Sequence, residues 1–341
     1  MTEHGDFDAN GDAGTKAELE SAHAKLIDND LGDDRLRTDG GVASDAQEEN
    51  PPVVVKVGGA RAVDPEGALA DVAHLVANGE DVVVVHGGST AVDDTLERLG
   101  EEPEYVETPG GVVGRFTDET AMEAFEMVLP GKLNTDLVAG LQNQGVNAVG
   151  LSGADGKLLT GPRKSAVKVV EDGRKKIRRG DHSGKIESVN ADLLSTLLAG
   201  GYVPVVTVPM LGEETRGASS TGRGGGGETA GAFTPVNADA DRAAAAVAGA
   251  LGGELVVLTD VAGLYEDPDD SATLVDAVET PAELAAAEDA AEGFMTKKVM
   301  AAVEALEGGA ASVTVADANN RDPITAARTG HGTEFHPGAV R

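Results

Sequence analysis

The chain has 341 residues, 59 Asp or Glu against 27 Lys or Arg, and a formal charge of -32, a balance that excludes general nucleic-acid binding because no excess of basic groups is available for phosphates. Cysteine is absent, so disulfides and thiolate metal sites are excluded. No apolar run reaches the roughly 18 residues that span a bilayer, and the acidic first residues do not read as a signal peptide, so the expectation is a cytoplasmic protein without membrane or nucleic-acid partners. Carboxylates spread along the whole length suit a halophilic, solvating surface of the kind that stays hydrated in molar salt.

Residues 1–50 hold 14 acidic and four basic groups with few large apolar side chains, and are expected to form a disordered acidic tail with one short helix near "TKAELESAHAKLI". From residue 51 onward, apolar runs of five or six residues alternate with amphipathic segments: "VVVKV", "VVVVH", "YVPVVTVP", "ELVVLTD" and "ASVTVAD". Continuous β-branched runs bounded by Gly or Pro read as strands buried on both faces, joined by helical crossovers. The expected fold class is α/β, a three-layer α/β/α sandwich with a mostly parallel central sheet and two lobes. Residues 51–210 form the first lobe, 211–233 a flexible Gly-rich insertion, and 234–341 the second, nucleotide-binding lobe.

Ligands of such sheets bind beyond the carboxyl ends of the strands. The first run ends in Lys56, Gly58 and Gly59, and the second in His86, Gly87 and Gly88. One Gly pair is ordinarily a tight turn. Two in successive βα units, with a lysine inside a Val-rich strand that needs an anionic partner, read as two phosphate or carboxylate cradles. GxxxxGK[ST] is missing and GxGxxG does not follow the first strand, so neither a Walker A loop nor a dinucleotide fingerprint is present.

Three further stretches bear on the fold that holds the ligand: "GRFTDETAMEAFEMVLPGKLNTDLV" with Arg115, "VNADADRAAAAVAGALGG" with Asn237 and Asp241, and "LTDVAGLYEDP" followed by "GFMTKKVMAA". Together with "VKVGGA" and "HGG" over residues 53–336, they resemble the amino acid kinase family in its N-acetylglutamate kinase branch. The resemblance implies ATP as cosubstrate, with Mg²⁺ held mainly through its phosphates and no metal site of the protein's own. It implies that Lys56 and Lys298 stabilise the transferring phosphoryl group and that Asp241 orients both. Gly87, Gly88, Arg115 and Asn237 would bind the amino acid, Arg115 through its α-carboxylate. Gly58, Gly59, Thr259, Asp260, Gly263 and Tyr265 would line the nucleotide, and a homodimer is expected.

Each of these residues also has an ordinary reading. Asp241 suits the first turn of a helix, Asn237 an N-cap, His86 a structural role, and Lys297 a solvated position beside Lys298.

Between Arg163 and Lys185, nine residues are basic and three acidic. An "EDG" turn between two alternating runs reads as a basic β-hairpin near 165–180, against a surface that is otherwise acidic. The stretch "GDHSGKIESVN" and the lead-in "YVETPGGVVGRFTDE" resemble the LysZ-type variant of the family, found in archaea and thermophilic bacteria. That variant phosphorylates glutamate or 2-aminoadipate attached to a small acidic amino-group carrier protein, LysW. The resemblance implies that Arg174, Lys175, Lys176, Arg178 and Arg179 dock the carrier. The alternative is a kinase of free N-acetylated glutamate or aminoadipate, and a more distant one a non-catalytic amino-acid sensor.

Overall fold

In a computed structural model the described residues are 50–58, 65–109, 111, 113–171, 173–214, 232–291 and 293–341. The expected acidic tail before residue 50, most of the 211–233 insertion, and Gly59 lie outside the described residues.

Among the described residues fourteen strands run in chain order: β1 Val53–Val57, β2 Val82–His86, β3 Tyr105–Glu107, β4 Val113–Arg115, β5 Ala148–Gly153, β6 Leu159–Glu171, β7 Arg174–Gly184, β8 Ser188–Val189, β9 Val203–Glu213, β10 Phe233–Val236, β11 Glu254–Thr259, β12 Ala277–Val278, β13 Ser312–Asp317 and β14 Thr333–Phe335. Twelve belong to one sheet of order β12-β14-β13-β11-β1-β2-β9-β6-β7, with β5 and β10 also on β9 and β8 on β6; β3 and β4 pair separately. The pairs β13–β11, β11–β1, β1–β2 and β2–β9 are parallel. The α/β class read from the apolar runs is therefore the class of the fold.

The runs are strands because every residue of β1 and β2 is buried, and β-branched side chains pack best on a pleat covered on both faces. Helices cover the two faces, and two apolar clusters result. One lies between the sheet and the Ala240–Leu251 and Phe294–Glu307 helices, the other against the Pro65–Ala77 and Pro323–Arg328 helices. Alanine dominates the Ala240–Leu251 helix, with Ala243, Ala244, Ala245 and Ala248 fully buried, so that helix lies close over β1 and β11.

β9 carries two roles along its length. Its first part pairs with β2 and β5, and its last part, from Met210, with β6 and β10. The sheet thereby passes from the parallel centre to the β6–β7 hairpin, which is longer than the sequence suggested.

Asp71 ties the sheet's second covering face together. It is 2% exposed and accepts from Ile324 N–H at 2.7 Å, Thr325 N–H at 2.8 Å and Thr325 Oγ1 at 2.6 Å. A carboxylate from a distant helix thus supplies the N-terminal cap that Asp322, the local N-cap residue, does not. Replacing Asp71 with Ala should lower unfolding stability by about 3 kcal/mol, because three donors lose a charged acceptor inside the protein; chemical denaturation would measure it, and a loss below about 1 kcal/mol would show that water replaces the cap.

Candidate active site

Parallel register brings the carboxyl ends of the central strands to one edge. Lys56 lies level with Val85 and Val257, Val57 with His86, and Thr259 with Asp317. Gly58, the Gly87–Gly88 turn and Asp260 therefore leave the sheet side by side.

Over this edge stands the N-terminus of the Ala240–Leu251 helix. Its cap is Asp239, which accepts from the N–H groups of Asp241 and Arg242, so Asn237 is not the cap. With the cap supplied by Asp239, Asp241 turns toward the strand end. Lys56 Nζ lies 2.6 Å from Asp241 Oδ1, and Lys298 Nζ, from the Phe294–Glu307 helix, 3.7 Å from Asp241 Oδ2. The first contact is a close ion pair between a buried ammonium and a buried carboxylate. All three side chains are at most 13% exposed.

Burial alone would raise the Asp241 carboxyl; Lys56 and Lys298 together hold it below its ordinary range. Burial pulls Lys298 below the usual ammonium value, with Asp241 opposing and Lys56 reinforcing the shift. Two ammonium groups share one carboxylate, which leaves one positive charge uncompensated by any ion pair among the described residues. That imbalance in a desolvated site suits a polyanion such as a nucleotide's phosphates. Among the described residues no group of three His, Cys, Asp or Glu is placed to hold a metal ion.

The Gly87–Gly88 turn is shaped from behind. A Cβ on Gly88 would stand 2.2 Å from Leu133 Cδ1 and 2.7 Å from Leu129 Cδ2, so a side chain there would require both leucines to shift. Both leucines lie on the π-helical turn Met127–Leu133, which contains Pro130 and joins two α-helical segments; the wider turn accommodates a residue with no N–H to donate. His86 is 2% exposed. Its Nδ1 lies 2.9 Å from Gly87 O and its Nε2 3.1 Å from Asn134 Nδ2. A neutral ring with its proton on Nδ1 satisfies both contacts, so His86 is a brace for the turn.

Arg115 ends β4, some residues before the Glu119–Glu126 helix and not on it. Its side chain is 6% exposed, and Nη2 lies 2.5 Å from Asp93 Oδ1. The same nitrogen donates to Tyr105 Oη at 2.8 Å and Ser89 O at 3.3 Å, and Tyr105 Oη donates to Asp93 Oδ2 at 2.8 Å. The guanidinium also faces the Tyr105 and Phe125 rings. Among the described residues Nη1 is buried and has no hydrogen-bond partner. Asp93 and Tyr105 carried no signal in the sequence: a helical carboxylate and a lone tyrosine read as surface residues.

Asn237 donates from Nδ2 to Thr117 Oγ1 at 3.1 Å. Thr259 and Asp260 bond to each other, Oγ1 to Oδ1 at 3.1 Å, with Asp260 exposed at the strand end. Gly263 packs against β14, where a Cβ would stand 2.5 Å from Thr333 Oγ1. Tyr265 is half-buried and bridges to Leu274. Lys297 is not simply solvated: its Nζ donates to Val113 O at 3.2 Å.

The hairpin has two unlike faces. Val167 pairs with Arg178 and Val169 with Lys176, whereas Ala166 pairs with Arg179, Lys168 with Ile177 and Val170 with Lys175; cross-strand partners share a face and neighbours alternate. Fully buried Val169 marks the inward face. On it Arg178 forks onto Glu104 Oε1 and Oε2 and lies 4.1 Å over the Phe116 ring, while Lys176 pairs with Glu171 at 2.7 Å. The outward face presents Lys168, Lys175 and Arg179 around Ile177, itself 66% exposed. Those three cations have no ion-pair partner among the described residues, nor has Arg174 at the tip. The five cations read together from the sequence are therefore divided by the strand pleat.

Residues 51–317 match the Amino acid kinase family. The chain belongs to the amino acid kinase family. It is 42% identical over 287 residues to a [LysW]-aminoadipate kinase of Thermus thermophilus, covering 82% of this chain and 98% of that one. It is 38% identical over 259 residues to an acetylglutamate kinase of Methanopyrus kandleri, covering 75% and 91%. Among solved structures, N-acetylglutamate synthase from Neisseria gonorrhoeae, complexed with coenzyme A and N-acetyl-glutamate, shares the fold at 24% identity with a TM-score of 0.62. The match covers 85% of this chain but only 60% of that longer one.

His86 also gives this amino acid kinase a pH-dependent stability. Burial chiefly, with Lys56 adding to it and the Gly87 contact opposing, lowers its pKa from 6.5 to about 4. The unfolded chain takes up a proton below pH 6.5 while the folded one does not, so stability is complete above that pH and falls as pH drops toward 4. The loss should reach about 3 kcal/mol. Denaturant melts between pH 7 and 4 would show it, and His86→Gln should flatten that part of the profile; an unchanged profile in the variant would assign the dependence to other groups.

Proposed function

We propose that this kinase transfers the γ-phosphoryl group of ATP to the side-chain carboxylate of glutamate or 2-aminoadipate carried on an acidic amino-group carrier protein, a step of arginine or lysine biosynthesis. The observation that carries the phosphotransferase reading is the pair of buried lysines sharing Asp241 at the strand ends. ATP, with Mg²⁺ on its phosphates, supplies the phosphoryl group and the leaving group. A carboxylate oxygen of the substrate forms the new bond to phosphorus as the bond to the bridging oxygen of ADP breaks. No general base is needed, because the attacking carboxylate is already ionised near neutral pH.

In this reading Lys56 and Lys298 approach the phosphoryl group from β1 and from the Phe294–Glu307 helix, and stabilise charge as it shifts toward the leaving group. Asp241 holds both ammonium groups in place. Gly58 and the Gly87–Gly88 turn offer backbone N–H groups without side chains in the way. The unpartnered Nη1 of Arg115 donates a charge-assisted hydrogen bond to the α-carboxylate, and Asn237 holds the substituted nitrogen end. Asp260 and its neighbours from Thr259 to Tyr265 lie along the nucleotide.

Two observations favour a carrier-bound substrate over a free acetylated one. One is the identity to a [LysW]-aminoadipate kinase over nearly that protein's whole length. The other is the outward hairpin face, with three uncompensated cations around an exposed isoleucine on a chain of charge -32. In molar salt the Debye length is only about 3 Å, so these cations act by direct contact and not by steering. Lys175 and Arg179, with Lys168, then form the dock; Arg174 pairs across the strands with Glu171 on the other face, and Arg178 and Lys176 are already engaged within the chain.

Lys56→Ala and Lys298→Ala should each lower kcat by at least about 100-fold with the fold intact, since each removes charge stabilisation made in the transition state; activity above half of wild type in either would end this assignment. Lys168, Lys175 and Arg179 changed together to Glu should raise KM for carrier-bound glutamate at least about tenfold while KM for ATP stays within twofold. An unchanged KM for the carrier-bound substrate, with equal turnover of N-acetylglutamate, would move the function to the free amino acid.

A further inference from the structure

The four residues Arg115 to Asp118 are each fixed by a different contact. Arg115 holds Asp93; Phe116 donates its N–H to Glu104 O at 2.9 Å beneath the Arg178 guanidinium; Asp118 caps the Glu119–Glu126 helix by accepting from Ala121 N–H at 2.8 Å. Thr117, fully buried, is bonded through its N–H, its C=O and its side chain. Its N–H donates to Asp181 Oδ1 at 3.2 Å, its C=O accepts from His182 N–H at 2.7 Å, and its Oγ1 accepts from Asn237 Nδ2 at 3.1 Å. Asp181, 3% exposed, takes a second donor from Ser183 Oγ on its other oxygen. The backbone completes the junction: Asn237 N–H donates to His182 O and Gly184 N–H to Asn237 O, each at 2.8 Å.

Asp181, His182, Ser183 and Gly184 are the last residues of β7, the same strand whose outer part carries Lys175 and Arg179. The base of the basic hairpin is thus bonded directly to Asn237 and, through the 115–118 segment, to Arg115. A buried carboxylate with both oxygens occupied and a buried hydroxyl with a single amide partner form a closed network, which fixes side-chain orientation more firmly than separate contacts would.

We propose that Thr117, anchored by Asp181, is the positioning residue that sets the Asn237 amide in the amino-acid site and joins that site to the hairpin. The inference rests on the reading of Asn237 and Arg115 as amino-acid-binding residues. The hairpin then serves in two ways, its outward face meeting the partner while its base holds the residues that grip the amino acid the partner presents. Sequence reasoning passed over Thr117 and Asp181 because a threonine before a helix cap and an aspartate within a basic run each have an ordinary local explanation.

The test compares Thr117→Val, which keeps the shape and removes the hydroxyl, with Thr117→Ser, which keeps the hydroxyl, in the full-length chain. Thr117→Val should raise KM for the amino-acid substrate, carrier-bound or N-acetylated, about tenfold and lower kcat several-fold, with KM for ATP within twofold of wild type. Thr117→Ser should recover most of both. Equal impairment in the two variants, tracking a fall in melting temperature, would make the role merely structural and overturn the proposal, as would wild-type kinetics in Thr117→Val. If Thr117→Val does not fold, Ser183→Ala, at a half-buried position, should raise the same KM two- to fivefold, and a wild-type value would overturn the proposal.

A readout independent of turnover is the side-chain amide NMR signal of Asn237, assigned by its loss in Asn237→Ser. It should be protected from exchange in the wild type and exposed in Thr117→Val. If wild type phosphorylates neither form of the substrate, the proposed function falls, yet this signal still shows whether Thr117 holds Asn237; an unprotected amide in wild type would overturn the positioning role by itself.

Discussion

Two buried ammonium groups sharing one carboxylate is the constraint on which the rest of this structure depends. A lysine inside a fully buried parallel strand is costly to desolvate, and Lys56 is stable there because Asp241 stands 2.6 Å away. Asp241 can stand there because Asp239 has taken the capping position and freed it to face the sheet. Lys298 then adds a second cation to the same carboxylate, at 3.7 Å. Asp239 and Asp260 act on Lys298 as well, and in the proposed function the positive charge left over faces a nucleotide's phosphates.

The supporting parts act through close packing. The π-helical turn packs Leu129 and Leu133 against Gly88, where a side chain would force both to shift. Asn134, next in the chain, reaches back to His86, which in turn holds Gly87. Gly150 in β5 has no Cβ because one would stand 2.0 Å from Asn134 Oδ1. A strand, a helical irregularity and a buried neutral histidine together define one short turn.

Charge is distributed for contact at short range. The acidic surface keeps the chain hydrated, while the outward face of the hairpin collects cations in alternate positions that no internal carboxylate neutralises. On the inward face the same pleat places Arg178 over Phe116 and onto Glu104, where it serves the segment bearing Arg115. A two-residue period thus divides one basic run into an outward face and an inward one.

Much of the architecture was legible in the chain itself. Strands buried on both faces announce themselves as unbroken β-branched runs, and the glycine pairs that end them mark where backbone must stay bare, because both signals are local and depend only on neighbouring residues. The family's motifs likewise pointed to Lys56, Asp241 and Lys298, which the fold brings together from positions far apart in sequence. What only tertiary structure decided are the partnerships: that Asp239 and not Asn237 caps the helix, that Arg115 is half-engaged by Asp93 and Tyr105, that Arg178 turns inward, and that Thr117 and Asp181 bind the hairpin to Asn237. Each joins residues whose sequence neighbourhoods are ordinary, and the identity of a polar side chain states what it can donate or accept but not which distant group the packed chain will bring within reach.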